Sequence, residues 1–104
     1  MVLTRSFKAV VQARLQRDPA FRQALLMEGV NALLAGDVDT GKAVLRDYIN
    51  ATVGFTALAA ATGTPSKSLM RMFGPAGNPS ARNLFAVIGC LQRDSGVALE
   101  VRAA

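Results

Sequence analysis

The stretch FTALAAATGTPSKSLMRMFG, residues 55–74, decides the fold that the sequence predicts. It opens with small residues of high helix propensity, is interrupted at Gly63 and continues as a second short helical pattern. Glycine tolerates the left-handed backbone that a tight turn requires, so we expect the chain to turn at Gly63. Thr64 and Pro65 then suit the cap and the first position of a helix over 65–73. Two helices joined in this way form either a plain helical hairpin or a helix-turn-helix.

The composition predicts one folded domain over residues 1–104. Hydrophobic residues make up 51% of the chain and charged residues 18%, which is typical of a globular protein. There is no histidine and one cysteine, so the sequence offers neither a disulfide framework nor a Cys/His metal site. Cys90 stands in an apolar run, where we expect a buried, inert thiol. We therefore predict no cofactor and no metal.

The charge distribution indicates where an anionic partner would bind. The formal net charge is +5, which favours nucleic acid, an acidic membrane surface or an acidic protein. From Tyr48 to Arg93 the chain has four cationic residues and no acidic one. A surface built from this stretch would face a polyanion, although a solvated basic face explains the same pattern.

The rest of the chain predicts further helices and one strand. Helical spacing covers 6–15, a segment from Asp18-Pro19 to Gly36, a segment capped by Asp39, and a segment from Asn78 or Ser80 to about Gln92. The polar face of the segment capped by Asp39 carries Lys42, Arg46, Asp47 and Asn50. Gly29 would let a neighbouring helix approach closely. The residues expected to face the core are Phe7, Val10, Val11, Leu15, Phe21, Leu25, Leu26, Val30, Leu33, Leu34, Val44, Leu45, Tyr48, Ile49, Leu84, Phe85, Ile88 and Leu91.

The tail over 97–102 has the two-residue periodicity of a strand, with Val97, Leu99 and Val101 on one side. A lone strand must pair with the N-terminus (MVLT, 1–4, is a weak second candidate), with a second copy or with another protein. We favour the second copy. The predicted fold class is all-α: a compact bundle of about five to six helices containing a helix-turn-helix, with a short C-terminal β-strand pairing across a dimer. Its parts are the N-terminal helices (1–53), the helix-turn-helix with the following helix (54–93), and the strand.

The helix-turn-helix interpretation places specific side chains on a DNA-facing surface. Ala59 is the small residue at the helix crossing, and Leu69, Met72 and Phe73 turn the second helix toward the core. The opposite face then carries Ser66, Lys67, Met70 and Arg71, and the following loop and helix add Asn78 and Arg82.

These side chains suit DNA chemically. Arg71 can form a bidentate contact with guanine, and Lys67 can reach a guanine edge or a phosphate. Met70 offers apolar contact to a thymine methyl group, while Ser66, Asn78 and Arg82 can hold phosphates. The pattern alone leaves the plain hairpin open.

Residues 55–101 resemble the DNA-binding domain of Cro/repressor-type (XRE-like) regulators and, more narrowly, the antidote proteins of toxin–antitoxin addiction modules. The matching segments are TALAAATG (56–63), SKSLMRMF (66–73), GNPS (77–80), NLFAVIGCLQ (83–92) and VALEV (97–101). The resemblance implies a helical bundle that acts as a homodimer, represses its own operon from a palindromic operator of double-stranded DNA and binds a cognate toxin. It assigns base reading to Ser66, Lys67, Met70 and Arg71.

Two other function classes compete with this hypothesis. A protein-interaction module would bind its partner through 1–50 or the terminal strand, without reading DNA. An enzyme is disfavoured because its carboxylates lie mostly at predicted helix ends and GTPSKS (63–68) lacks a phosphate-loop pattern. The start lacks the apolar run of a signal peptide, and no segment is long and apolar enough to span a bilayer, so we expect a cytoplasmic protein without a membrane partner.

Overall fold

A computed structural model describes residues 5–104, with side chains from Ala9 onward. This part of the chain forms six helices, which confirms the predicted all-helical bundle. The helices are α1 (Arg5–Arg17), α2 (Pro19–Leu34), α3 (Val38–Ala51), α4 (Phe55–Thr62), α5 (Ser66–Met72) and α6 (Ala81–Ser95). The candidate strand at 1–4 and the side chain of Phe7 lie outside the described residues.

Short polar side chains set three of the helix starts. Asp18 accepts a hydrogen bond from the Phe21 N–H at 3.1 Å, as the sequence predicts. Of the two caps predicted for α6, Asn78 and Ser80, it is Ser80 that accepts from the Asn83 N–H, at 3.2 Å. The bond from Phe21 also lowers the pKa of the Asp18 carboxyl. The predicted cap of α3 is wrong: Asp37 rather than Asp39 caps it, because the Asp37 carboxylate reaches the Thr40 N–H at 3.3 Å.

Helices α2 and α3 cross at two glycines. A Cβ atom on Gly29 would lie 2.9 Å from the Leu45 side chain, and one on Gly41 would lie 2.6 Å from the Leu33 side chain. The close approach predicted at Gly29 is confirmed, and Gly41 has the same role from the other helix. A larger residue at either position would displace these leucine side chains, and at Gly41 it would also lie 3.1 Å from the Gly29 carbonyl oxygen.

The core cluster is formed by residues of α2 to α6. Leu15 of α1 is also buried. Cys90 is buried within the core cluster, as predicted. The cluster contains Leu26, Leu45, Tyr48, Ile49, Phe55, Leu58, Leu69, Phe73, Val87, Cys90 and Leu91.

Three side chains predicted for the core lie largely at the surface: Val10 is 65% exposed, Leu34 60% and Phe85 66%. Leu34 follows Leu33, which packs on Gly41, so it points away from the α2–α3 crossing. Helix α6 buries Val87, Ile88, Cys90 and Leu91, and Phe85 falls beside this stripe. Spacing alone defines an apolar arc on a helix, and the neighbouring helices determine which part of that arc is covered.

The predicted strand over 97–102 is a further correction, since residues 97–104 have no regular secondary structure. Helix α6 supplies side-chain acceptors instead: Gln92 accepts from the Leu99 N–H at 2.8 Å, and Ser95 accepts from the Val97 N–H at 3.2 Å. Leu99 packs, partly buried, against the core. No neighbouring strand is present in the described chain. The alternation of apolar residues in the tail therefore accompanies the packing of a single side chain, Leu99, on the helical bundle.

Candidate nucleic-acid interface

The candidate interface is built on α4, α5 and the turn between them. Gly63 adopts a left-handed conformation with φ of 72°, and its N–H donates to the Ala59 carbonyl at 2.9 Å. This confirms the break predicted at Gly63. Helix α5 is shorter than the expected 65–73, and Pro65 rather than Thr64 is its N-cap residue.

Buried side chains hold α5 in place. Leu69 and Phe73 are each 1% exposed and belong to the same core cluster as Leu58 of α4. The Thr62 hydroxyl donates to the Leu58 carbonyl at 2.8 Å, so this half-buried polar group is satisfied where the helix ends. A seven-residue helix is marginal by itself, so these tertiary contacts determine the orientation of α5.

The outward face of α5 carries the predicted recognition residues. Lys67, Met70 and Arg71 are exposed and follow i, i+3, i+4 spacing, which places them side by side. Met70 is 51% exposed, so this face presents an apolar side chain between two cations. Ser66 is half-buried at the first position of the helix. The structure thus brings these four predicted residues together on one short helix.

The cations on and after α5 form no ion pair in the part of the chain whose side chains are described, although exposed Asp39 lines a cleft beside Phe73, Gly74 and Pro75 at the end of that helix. Ion pairs within residues 9–104 join Arg14 to Asp18, Lys42 to Asp39 and Arg102 to Glu100. Lys67, Arg71 and Arg82 take part in none of them. Their charges remain available to an anionic partner in this region.

The loop after α5 places Asn78 next to the end of that helix. The Gly77 N–H donates to the Gly74 carbonyl at 3.0 Å, and a Cβ atom on Gly77 would overlap the carbonyl oxygens of Arg71 and Met72. The loop is therefore folded tightly against the last turn of α5. Asn78 is exposed immediately afterwards.

Arg82 stands farther along the chain than the other predicted site residues. It is exposed in the first turn of α6, after the Ser80 cap. Within the described chain it forms no hydrogen bond to α5 or to Asn78. No side-chain contact therefore ties Arg82 to the other predicted site residues.

Lys42 is a residue of this region that the sequence did not single out. Its spacing put it on the polar face of α3 with Arg46, Asp47 and Asn50, yet it is only 4% exposed. Its ammonium donates to the carbonyl oxygens of Gly74 at 3.1 Å and Gly77 at 2.6 Å. No local pattern could have found this contact, because the acceptors are 32 and 35 residues away.

An apolar groove lies between α2, α6 and the tail. Its volume is about 230 Å³. Exposed Met27, Leu34, Phe85 and Val101 line it together with half-buried Leu99. Two of the side chains that were expected in the core thus lie in one exposed apolar patch, which the sequence did not predict.

A second cleft of about 250 Å³ is polar and is lined by residues that include Arg22, Tyr48 and Asp94. The Arg22 guanidinium already donates to the carbonyls of Leu15 and Gln16, each at 3.0 Å, at the end of α1. Burial raises the pKa of the Tyr48 hydroxyl above its usual range. The cation in this cleft therefore serves to cap a helix.

Comparisons with models of protein families, with curated proteins and with solved structures give no match to this chain. Among the described helices, none combines the length and apolar character needed to cross a membrane. Residues 5–104 likewise contain no group of three or more Cys, Asp or Glu side chains arranged to hold a metal ion.

Proposed function

We propose that the protein is a sequence-specific DNA-binding repressor in which α4 and α5 form a helix-turn-helix. The observation that supports this most directly is the outward face of α5, where Lys67, Met70 and Arg71 are exposed side by side. No acidic residue occurs between Tyr48 and Arg93 to oppose a phosphate backbone.

The proposed contacts follow from the chemistry of each side chain. Helix α5 enters the major groove, where Arg71 forms a bidentate contact with guanine and Lys67 contacts a guanine edge or a phosphate. Met70 packs on a thymine methyl group. Ser66, Asn78 and Arg82 hold the backbone phosphates and so set the register of α5 on the duplex.

We infer that the protein works as a homodimer on a palindromic operator. Two recognition helices must lie about 34 Å apart to enter successive major grooves. The described part of one chain measures 37 × 34 × 28 Å, so this spacing is about the width of one copy. The apolar groove lined by Met27, Leu34, Phe85 and Val101 is the surface we assign to the contact, through side-chain packing.

The resemblance to antidote proteins supports a more specific role. We infer that the protein is the antitoxin of an addiction module, that it represses its own operon from the cytoplasm and that it also binds a cognate toxin. Helices α1 and α3 contribute no residue to the helix-turn-helix or to the groove assigned to the dimer, and we assign such a partner to their exposed side chains.

A protein-interaction module that does not read DNA is the second candidate. The apolar groove favours it, because such a patch suits a partner protein as well as a second copy. In this alternative the face of α5 is an ordinary solvated surface.

A mobility-shift experiment distinguishes the two functions. The purified protein is titrated against the DNA upstream of its own gene and against a shuffled duplex of the same length and composition, at two salt concentrations. A repressor binds the upstream DNA more tightly than the shuffled duplex at both salt concentrations. The Arg71→Ala variant shows a smaller preference for the upstream DNA. Equal, weak binding of both duplexes by a folded protein would favour the interaction module.

A further inference from the structure

We propose that Lys42 is a positioning residue for DNA recognition, which fixes the end of α5 and the following loop so that Arg71 and Asn78 address one stretch of DNA. This role rests on the proposed function. Lys42 itself is buried and touches no DNA in this proposal. It acts on the geometry of residues that do.

The contacts of Lys42 connect α3 to two positions in the loop between α5 and α6. Its Nζ atom lies 3.1 Å from the Gly74 carbonyl oxygen and 2.6 Å from that of Gly77. The Asp39 carboxylate is 3.7 Å away, but its side chain is 92% exposed, so this ion pair contributes little. The two carbonyls are therefore the groups that satisfy the buried ammonium.

A buried ammonium at this place has a physical consequence for α5. Removing a charge from water is costly unless hydrogen bonds replace the water, so the loop is held where its carbonyls meet the Lys42 ammonium. The same positive charge lies near the carboxyl end of α5, where exposed carbonyls favour a cation. Since α5 has seven residues and little stability of its own, this contact and the core together set its direction.

The loop transmits this placement to the proposed contact residues on both sides. Gly77 packs so closely on the last turn of α5 that a Cβ atom would overlap the Arg71 carbonyl oxygen. Asn78 follows Gly77 directly. A shift of the loop therefore moves Asn78 relative to Arg71, and simultaneous contact of both with one duplex is lost.

The test compares operator DNA with a shuffled duplex for the wild type and for Lys42→Met, which keeps the length of the side chain and removes its donors. We expect the preference for the operator to fall about tenfold or more, within the range that separates specific from non-specific binding. Binding to shuffled DNA should change by less than about threefold, because Lys67, Arg71 and Arg82 retain their charges.

The matched control is Arg46→Met, which removes one positive charge from the same helix one turn away. Arg46 is half-buried and lines the same cleft as Lys42 and Gly74, but within the described chain it donates no hydrogen bond to the Gly74 or Gly77 carbonyl. We expect it to leave the operator preference unchanged. A preference within twofold of wild type in Lys42→Met, or an equal loss of both affinities, would overturn the proposal.

A second variant approaches the junction from the loop. Gly77→Ala must displace the loop, and with it the Gly77 carbonyl that the Lys42 ammonium contacts, while the Lys42 side chain itself is unaltered, and we expect it to reduce operator preference in the same way. Circular dichroism checks that each variant is folded, and amide hydrogen exchange should show lost protection around 74–78 with the core unchanged. If Lys42→Met does not fold, Gly77→Ala decides: wild-type preference there overturns the role. If the wild type itself has no operator preference, the proposed function fails first, whatever the variants do.

Discussion

The rings of Phe55 and Phe73 meet with their centroids 6.5 Å apart and their planes inclined by 53°. Phe55 begins α4 and Phe73 directly follows α5, so the pair joins the outer ends of the two helices. Both rings are buried, at 7% and 1% exposure. The tilted arrangement is one that aromatic pairs favour, and it fixes the angle at which α5 leaves the turn.

Truncation of this pair should destabilise the whole bundle. We expect Phe73→Ala to lower the free energy of unfolding by about 3–5 kcal/mol, because it removes a buried ring and leaves a cavity. Urea unfolding followed by circular dichroism measures the loss. Val10→Ala, at a position that is 65% exposed, is the control and should change stability by no more than about 0.5 kcal/mol. Similar losses in the two variants would contradict the assignment of Phe73 to the core.

Arg71 is expected to read a base. Arg71→Ala should weaken operator binding by about 1–3 kcal/mol and relax selectivity at one position of each half-site. Binding to a set of singly substituted operators measures both effects. Arg93→Ala removes an exposed positive charge from α6 and should leave the selectivity as it is. Unchanged selectivity in Arg71→Ala would remove this residue from base reading.

Arg82 is expected to contact a phosphate and to carry no sequence information. Arg82→Ala should weaken operator and shuffled DNA by the same factor and reduce the slope of log affinity against log salt by about 1. A titration at several salt concentrations measures the slope. A loss restricted to the operator would instead give Arg82 a role in base reading.

The apolar groove should determine the oligomeric state. We expect Phe85→Asp to yield a folded monomer, because a charge in the groove must be desolvated when two copies pack together. Sedimentation at several protein concentrations measures the association. Val10→Asp is the matched control, since Val10 is as exposed as Phe85 but lies on α1 outside the groove. A Phe85→Asp protein that still dimerises would place the contact elsewhere.

Asp18 caps α2 and should make the stability of the protein depend on pH in the acid range. Its pKa is lowered in the folded protein by the hydrogen bond from the Phe21 N–H, so the contribution is complete above the pKa of the unfolded chain, about 4. It is lost as the pH falls through the lower folded pKa. The stability difference between wild type and Asp18→Ala should therefore shrink in acid, as thermal unfolding between pH 7 and pH 2 can measure.

Asp18→Asn provides the control for that experiment. Asparagine also caps helices well but has no proton to gain in this range. We expect it to retain much of the stability at neutral pH and to show a flatter acid dependence. If all three proteins lose stability in parallel, Asp18 is not the titrating group.

The sequence by itself determined the local structure of this protein. Asp18-Pro19 begins α2, Ser80 caps α6 and Gly63 ends α4, because each depends on hydrogen bonds or backbone angles within a few residues. Helical spacing likewise placed Lys67, Met70 and Arg71 on one exposed face. These features follow from short-range chemistry, which can be read without knowing what lies opposite.

Only the tertiary structure decided which side chains are covered and what the distant groups do. Phe85 and Leu34 were expected in the core and line an exposed groove, since neighbouring helices cover a different part of each apolar arc. The tail has helix side chains as partners instead of a strand. Lys42 was expected in water and is buried against carbonyls more than thirty residues away. The spacing of a residue along a helix gives the direction in which its side chain leaves the helix axis. Whether that side chain is buried depends on the elements that the fold brings alongside.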